Sequence, residues 1–272
     1  MGGSTSSVPQ RDIPDLSGKV VLITGGNTGL GLETILQLSK HNPVHIYLAA
    51  GLEAKAKDAI AQVQDKVPRA PPISFIPLDL GSFLSIKAAA ATFRVSSDRL
   101  DVLINNAGIM ATPEGLTEEG YEVQFGTNHM GPALRTNLLL PTLKATAARH
   151  SPDVRVIFLA VVHYNEAFAK HNPEIKSISL HPGVVSTGLN NTFSNNNNFL
   201  LVGVVNLILK LTSVSVERSA LNTLWAATSA DVKTGEFYHP VGVSGEGHRP
   251  TKNVENRDQL PKWTQKELAS HL

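Results

Sequence analysis

Short apolar runs alternate along the chain with longer stretches in which apolar residues recur every three or four positions. Runs rich in Val, Ile and Leu are typical of buried β-strands, and the longer periodic stretches are typical of amphipathic helices. Their alternation predicts an α/β fold in which helices cover both faces of a mostly parallel sheet. About seven strands are predicted, at residues 19–24, 44–49, 73–78, 101–105, 154–159, 175–180 and 236–240, with helices near 30–41, 52–66, 82–94, 118–147 and 215–229.

A repeated tetrapeptide predicts where the helix between the fifth and sixth strands ends. KHNP occurs at residues 40–43, after a predicted helix and before a strand, and again at 170–173. Lys and His suit a helix C-terminus, and Pro prevents the helix from continuing. Residues up to Lys170 are therefore predicted to end a helix. This helix must be short, because only about 15 residues join the two strands.

The composition fits one folded domain. The chain has 272 residues, of which 42% are hydrophobic and 17% are charged, so it can bury a substantial core. No shift in composition divides the chain, and we expect a polar tail over residues 1–17 and a single domain over residues 18–272. The net charge of +1 and the lack of a long basic run argue against nucleic acid as a partner.

Several features bear on location and metal binding. The chain has no cysteine, which excludes disulfides and thiolate metal sites and fits a cytoplasmic protein. No apolar span reaches the roughly 18 residues of a transmembrane helix. The start, MGGSTSS, matches the short pattern for N-myristoylation at Gly2, and a plain polar tail is the other interpretation. His129, His163 and His181 have no further ligand at metal-binding spacing, so no metal site is predicted.

A glycine-rich segment lies between the first predicted strand and the helix that follows it. Gly25, Gly29 and Gly31 would let the backbone turn sharply and approach a pyrophosphate closely. The helix that begins near Leu30 would direct its free N–H groups towards the same anion. This order of strand, loop and helix predicts a nucleotide-binding site.

Five motifs follow one another in the order found in one enzyme family. TGGNTGLG (24–31) resembles the TGxxxGxG motif of the short-chain dehydrogenase/reductase family, and LDL (78–80), NNAG (105–108), NHMGP (128–132) and HPGVVSTGL (181–189) resemble its later motifs. The sequence is most similar to the retinol-dehydrogenase-like branch, which includes fungal enzymes of secondary metabolism. The resemblance implies a single-domain Rossmann fold and an NAD(P)-dependent oxidoreductase that interconverts a carbonyl and an alcohol.

The resemblance also assigns residues to the cofactor. It implies that the glycine loop holds the pyrophosphate, that Asp79 contacts the adenine, and that Val185 and Thr187 hold the nicotinamide amide. The implied cofactor-binding residues are Gly25, Asn27, Gly29, Leu30, Gly31, Asp79, Leu80, Asn106, Ala107, Gly108, Pro182, Gly183, Val185 and Thr187.

The end of the second strand bears on the choice between NAD and NADP. NAD-dependent enzymes usually place a carboxylate there, and a cation accommodates the 2′-phosphate of NADP. Ala49 and Ala50 provide no acid, and Lys55 or Lys57 would supply a cation from the next helix. Glu53 would favour NAD, but it lies beyond the strand end. The sequence therefore favours NADP over NAD.

The segment after the fifth strand departs from the family pattern. The resemblance implies a serine there, and a tyrosine followed four residues later by a lysine that lowers the pKa of the tyrosine. Here Ala160 and Val161 replace the serine, and Phe168 stands four residues after Tyr164. Lys170 lies six residues after Tyr164, on another face of a helix. We therefore predict that Tyr164 is a packing residue and not the catalytic acid.

A single internal loss would explain this departure. The segment before the PG motif is shorter than in the family, and about 25–40 residues are interpreted as absent between Ala160 and His163. Asn128 matches the family asparagine that supports a proton-relay water, so it is the one catalytic residue that remains. The alternative for Asn128 is a structural role, in which it ties a helix to a neighbouring strand.

The short connection also leads to predictions for stability and ligands. A shortened helix would leave part of the fifth and sixth strands uncovered, and burial is worth about 25 cal/mol per Å². The family places a dimer interface on this helix. We therefore expect reduced stability, exposed apolar surface and a weakened homodimer. The expected substrate lid, residues 186–215, contains the apolar run 199–209, which favours a hydrophobic alcohol or ketone, although core packing of this run would also explain it.

Three interpretations of function follow from the residues. The chain is an NADP-dependent reductase or dehydrogenase, a protein that binds NADP(H) without turnover, or a truncated product with neither property. Because the serine and the tyrosine–lysine pair are not found, we expect impaired catalysis or none.

Overall fold

A computed structural model describes residues 8–149, 153–159, 161–183, 214–245 and 254–272, with side chains from residue 257 onward in the last range. Its strands form one sheet in the order β3-β2-β1-β4-β5-β6-β7-β8. Only the last pair, β7 and β8, is antiparallel. The strands are β1 Val20–Thr24, β2 His45–Ala50, β3 Ile73–Pro77, β4 Val102–Asn105, β5 Arg155–Leu159, β6 Lys176–Leu180, β7 Phe237–His239 and β8 Val243–Gly245.

Helices connect the strands and lie on both faces of the sheet. A π-helical turn at Gly126–Met130 leads directly into α6. The helices are α1 Pro9–Asp12, α2 Gly29–Leu38, α3 Glu53–Lys66, α4 Phe83–Ser96, α5 Val123–Phe125, α6 Gly131–Ala147, α7 Val162–His171, α8 Val216–Thr228 and α9 Val254–Leu268.

The predicted fold class is confirmed, and all seven predicted strands are present within two residues of their expected ends. Within the described ranges the sheet has one further strand, β8, which the sequence did not reveal because Val243–Gly245 is short and lacks an apolar run. The helix predicted near residues 118–147 begins later, at Val123.

The strand order fixes where a ligand can bind. The chain passes outward through β1, β2 and β3, then returns to pair β4 with the other side of β1. Ligands of such sheets bind at the carboxyl ends of the strands, at the point where the order reverses. Here that point lies between β1 and β4.

Strand side chains alternate between two core layers. On β5, Val156 and Phe158 face the layer formed with α4, α6 and α7, and Ile157 faces the layer formed with α2, α3 and α8. Buried parallel strands need apolar residues on both faces, which explains the continuous apolar run. The second layer also includes Ile13 and Leu16, which are only 7% and 6% exposed, although the sequence placed them in a polar tail.

Helix α7 is the short helix expected between β5 and β6, and it ends at His171, one residue beyond the end at Lys170 that the KHNP repeat predicted. Its Tyr164 packs edge-on against Phe158, with ring centroids 5.5 Å apart. Its Asn165 is fully buried: the Oδ1 atom accepts a 2.6 Å hydrogen bond from Ser177 Oγ, and the Nδ2 atom donates to Ser179 Oγ at 3.4 Å. One asparagine therefore satisfies the two serines that β6 turns towards α7.

The expected exposure of apolar surface over β5 and β6 is wrong for the part of the chain that is described. Both strands are buried along nearly their whole length. Part of the cover comes from α9, which packs against α7 and buries Leu268 completely. Arg257 of α9 also pairs with Glu166 of α7 at 2.9 Å. A helix distant in sequence thus helps to cover the short crossover.

None of the helices in the described ranges is both long and apolar enough to span a bilayer.

Candidate cofactor and active site

The glycine loop joins β1 to α2 at the strand-order reversal. Gly25 and Gly29 have φ angles of +66° and +54°, a backbone region that favours glycine. A Cβ atom on Gly31 would overlap the carbonyl oxygen of Gly25. Helix α2 begins at Gly29 without a capping side chain or an acidic residue in its first turn. Its first N–H groups and the positive end of its dipole are therefore available to an anion. We call Thr24–Gly31 and this helix end the phosphate cradle.

The phosphate cradle is tied to the segment after β4. Thr24 Oγ1 accepts hydrogen bonds from the backbone N–H groups of Asn106 and Ala107 at 3.1 and 3.0 Å. The Asn106 side chain donates to Thr24 O at 2.8 Å. The predicted residues of the glycine loop and of NNAG thus lie together. Sequence reasoning assigned no role to Thr24, although a hydroxyl directly before the first glycine was the available signal.

The remaining predicted residues of the glycine loop and of NNAG lie at the same edge. Asn27 and Leu30 are half-buried, and Leu30 packs against the second core layer. A Cβ atom on Gly108 would lie 3.1 Å from Asn128 Oδ1, so this turn also runs close to its neighbour.

Asp79 and Leu80 follow β3 at this edge. Asp79 Oδ1 accepts a 2.8 Å hydrogen bond from Gly81 N, which orients its carboxylate, and Leu80 is buried. On β2, Ala49 and Ala50 are buried, and a Cβ on Gly51 would meet only Leu78 O, at 3.6 Å. The end of β2 therefore has no carboxylate and has space beside it.

Two of the charged residues that bear on NAD or NADP pair with each other. Lys57 forms a 2.8 Å ion pair with Glu53, one helical turn away. Lys55 is exposed on the same helix.

The oxygen and the nitrogen of the Asn128 amide each form one hydrogen bond to the backbone. Its Oδ1 accepts from Ile109 N and its Nδ2 donates to Ile109 O, both at 2.8 Å. It lies on the π-helical turn and fastens that turn to the loop after β4. This is the structural role considered as the alternative for Asn128.

Tyr164 lies in the core. Its side chain is 2% exposed, and its hydroxyl oxygen lies 3.3 Å from both Ala133 O and Asn137 Oδ1, which share its single proton. Burial raises the pKa of Tyr164 above its ordinary value, so the hydroxyl holds its proton more firmly. Lys170 is exposed near the far end of α7, and that helix runs from the carboxyl edge of the sheet back to the amino edge.

The segment after β6 folds onto α8. Gly183 has a φ of +88° and donates its N–H to His181 Nδ1 at 2.9 Å. Pro182 O accepts a hydrogen bond from Ser219 Oγ of α8. The predicted residues Ala160, Val185 and Thr187 lie outside the described residues, as do positions 186–213 of the expected lid.

Two buried side chains next to the site were not anticipated. His129 Nε2 lies 2.8 Å from Thr264 Oγ1 of α9, and burial, together with the nearby His163, lowers the pKa of His129 to about 4. Arg135 of α6 is 1% exposed, and its Nη2 donates to Asn105 Oδ1 at 2.5 Å. The Nε and Nη1 atoms of Arg135 have no hydrogen-bond partner among the described residues.

Comparison with known proteins identifies the family. The model of the short-chain dehydrogenase family matches residues 19–163, just over half of the chain. An uncharacterized oxidoreductase of Schizosaccharomyces pombe is 34% identical over 282 positions, covering 88% of this chain and 82% of the relative. A short-chain dehydrogenase/reductase of Armillaria gallica is 32% identical over 299 positions, covering 96% and 93%. The chain therefore belongs to the short-chain dehydrogenase/reductase family of oxidoreductases.

Solved structures agree with the fold. The NADPH-bound carbonyl reductase from chicken fatty liver superposes with a TM-score of 0.62 at 22% identity, covering 85% of this chain and 99% of the other.

Proposed function

We propose that this chain binds a nicotinamide dinucleotide, preferentially NADP(H), and that it lacks the ordinary carbonyl–alcohol turnover of its family. The observation that carries this proposal is the placement of Tyr164 and Lys170. The tyrosine is buried with its hydroxyl bound inside the core, and the lysine is exposed at the other edge of the sheet.

The residues of the phosphate cradle fit the cofactor. The loop approaches itself so closely that a side chain at Gly31 would overlap backbone, and the end of α2 offers N–H groups to a pyrophosphate. Asp79, held by Gly81 N, would face the adenosine. When bound, the nicotinamide ring supplies or accepts the hydride in this family's chemistry.

The end of β2 supports NADP over NAD. A carboxylate that would bind the ribose 2′-hydroxyl is replaced by Ala50 and Gly51, and space beside Gly51 would accommodate a phosphate. Lys57 forms an ion pair with Glu53, which leaves the exposed Lys55 of the same helix as the candidate cation for a 2′-phosphate. Solved structures of the same fold hold NADPH, NADP or NADH, so the preference rests on the residues at the end of β2.

The alignments support the loss of an internal segment. The Schizosaccharomyces alignment uses 88% of 272 residues, about 239, so about 43 of its 282 positions have no residue of this chain opposite them. For the Armillaria relative, 96% is about 261 residues and about 38 of 299 positions are unmatched. The family match ends at residue 163, within the first turn of α7, where the sequence departs from the family pattern.

Proton transfer would then have no tyrosine to perform it. The phenol of Tyr164 has its pKa raised by burial, which is opposite to the shift that general acid–base work near neutral pH requires. Asn128 has both amide groups engaged by Ile109. The chain could therefore still bind and orient a cofactor, but it would lack a group to transfer the proton.

The proposed substrate of an intact relative is a hydrophobic alcohol or ketone. This proposal is based on the apolar composition of residues 199–209. The second candidate function, an active reductase of such compounds, is favoured by the family membership itself. A homodimer is a further proposal, as is a cytoplasmic location.

A binding and turnover assay tests the proposal. The chain is titrated with NADPH by fluorescence, and NADPH oxidation is followed with a panel of ketones and aldehydes. We expect binding, with turnover at least about 10³-fold below that of a chimera carrying the Schizosaccharomyces segment between residues 160 and 163. Tyr164→Phe should leave any residual rate unchanged.

The outcomes separate the candidate functions. A rate equal to that of the chimera, or one abolished by Tyr164→Phe, would establish the active reductase. Absence of NADPH binding by a chain with a cooperative melt would leave only the truncated product.

A further inference from the structure

Helices α3 and α4 have the same length but very different surfaces. Each has 14 residues, and α3 carries six charged side chains, whereas α4 carries only Lys87 and Arg94. A helix on a protein surface ordinarily turns charged and polar residues to solvent. Helix α4 therefore has few charges for its outer face, although it packs its other face into the core through Phe83, Ile86, Ala89, Ala90 and Phe93.

The outer face of α4 carries a row of apolar side chains, which we call the α4 crest. It consists of Leu84, Ala88, Ala91 and Val95, all of which are exposed. The two large members, Leu84 and Val95, are 77% and 90% exposed. Spacings of four, three and four residues place the row within about 60° around the helix, opposite the buried face, and along about 16 Å of its axis.

Further apolar side chains are exposed in segments that contact the start of α4. Glu119 Oε1 accepts a 2.5 Å hydrogen bond from Phe83 N, and the ring of His271 packs against that of Phe83 at 4.8 Å. In the same two segments, Leu116 and Leu272 are 70% and 59% exposed. Several exposed leucines in neighbouring segments are typical of a surface that contacts another apolar phase.

Polar residues flank the α4 crest on both sides. Lys87 and Arg94 lie on one side of it, and Ser85 and Thr92 lie on the other, each roughly 70–90° around the helix from the crest. A lysine or arginine in such a position can lay its stem along an apolar surface and extend its charge to the boundary with water. This arrangement is typical of helices that lie in the interface of a bilayer.

The charge of α4 favours an anionic surface. The helix has two cations and no carboxylate, and neither Lys87 nor Arg94 has an ion-pair partner within the described ranges. Asp98, which follows the helix, pairs with Arg149 at 3.0 Å. A neutral apolar partner would cover the crest and leave both cations without counterions. A bilayer with anionic lipids supplies an apolar interior and negative headgroups together.

We propose that α4 docks this chain on membranes that contain anionic lipids. The α4 crest inserts among the acyl chains, and Lys87 and Arg94 lie at the phosphate headgroups. Binding is peripheral and reversible, because only two of the four crest side chains are large. The inference is independent of the proposed function, since no residue of the phosphate cradle takes part.

Vesicle flotation of the full chain tests this inference. We expect at least about tenfold more bound chain on phosphatidylcholine vesicles with about 30% phosphatidylserine than on phosphatidylcholine alone. The double variant Leu84→Ser/Val95→Ser should lower binding at least about tenfold, because it removes the large apolar side chains. Lys87→Gln/Arg94→Gln should lower binding to the level of the neutral vesicles, and about 0.5 M salt should have a similar effect on the parent chain.

A matched control removes the same residue types elsewhere. Val44 is 53% exposed, Lys40 is exposed, and both lie outside α4, so Val44→Ser/Lys40→Gln should float like the parent chain. Thermal melts should show the same midpoint for all variants, because every substituted side chain reaches the surface.

Three results would overturn the inference. The first is a parent chain that does not float with anionic vesicles. The second is equal flotation of the parent and Leu84→Ser/Val95→Ser. The third is a concentration-dependent dimer, measured by sedimentation without lipid, that Leu84→Ser/Val95→Ser abolishes, because the crest would then bind a second copy of the chain.

Discussion

The phosphate cradle and the crossover from β5 through α7 to β6 are built by different means. The cradle depends on backbone geometry over eight consecutive residues, where glycines permit turns and contacts that other residues would block. The crossover depends on particular side chains meeting across the sheet, as Asn165 meets Ser177 and Ser179. A local backbone arrangement such as the cradle does not depend on residues elsewhere, whereas the proposed loss of one segment would remove the family's serine, tyrosine and lysine together.

The strongest test of the cradle is Gly31→Ala. Because the added methyl would overlap Gly25 O, the loop must shift, and we expect NADPH affinity to fall at least about 100-fold, close to 3 kcal/mol. The matched control is Gly115→Ala, whose methyl would lie 4.0 Å from Val123. Fluorescence titration of both variants checks this. Equal affinities would show that the loop does not hold the pyrophosphate.

Two buried arginines, Arg155 with an ion-pair partner and Arg135 without one, should affect stability in opposite directions. Arg155 of β5 is 2% exposed and is paired with Asp153 at 2.7 Å, and its Nη1 donates to Ala226 O at 2.9 Å. Asp153 is 37% exposed and would stay hydrated without its partner, but the buried Ala226 O would lose its donor, which costs about 1–3 kcal/mol. Arg155→Met should therefore lower the free energy of unfolding by that order in urea melts.

Arg135 should respond in the opposite direction. It is equally buried but binds only an amide oxygen, and two of its nitrogens lack partners in the described structure. Burying an unpaired charge is costly, so Arg135→Met, which removes that charge, should raise the urea midpoint even though Asn105 Oδ1 loses its donor. A lower midpoint would mean that a partner of the guanidinium lies outside the described residues.

Asn165→Ala tests the crossover directly. The variant leaves Ser177 Oγ without its acceptor in a fully buried position, which costs about 1–3 kcal/mol. Lys170→Ala on the same helix is exposed and should change stability by less than about 0.5 kcal/mol. Neither variant should alter NADPH affinity if the phosphate cradle and the crossover act separately. A loss of NADPH binding in either variant would show that the two regions are coupled.

The smallest expected effect is electrostatic and depends on pH. Burial alone would raise the pKa of Asp153, but the hydrogen bond and charge of Arg155, together with Lys176, lower it below its ordinary value. A lowered folded-state pKa stabilises the protein above the unfolded pKa, and this contribution is lost as pH falls through the folded pKa. Asp153→Asn should therefore cost about 1 kcal/mol at pH 7, and its melt should converge with the wild-type melt in acid.

The sequence predicted much of the fold because apolar strands and glycine spacing are local signals. It predicted the end of α7 from KHNP and the packing role of Tyr164 from its spacing. Helix α9 escaped prediction because two of its buried positions are Pro261 and Thr264, which hide the apolar periodicity. The roles of Asn165 and Arg135 were not predicted either, because the burial of a polar residue depends on hydrogen-bond partners from other elements, which the sequence does not reveal.

The Asn165 contact restricts how α7 can be extended or shortened. Each added helical residue rotates everything beyond it by about 100°. A segment inserted before Val162 must therefore enter the helix in one particular phase, or Asn165 would swing away from Ser177 and bring an apolar neighbour against the serines. The orientation of α7 therefore depends on the number of inserted residues as well as on the distance that they span. An insertion in the wrong phase would leave the buried hydroxyls of β6 without hydrogen-bond partners.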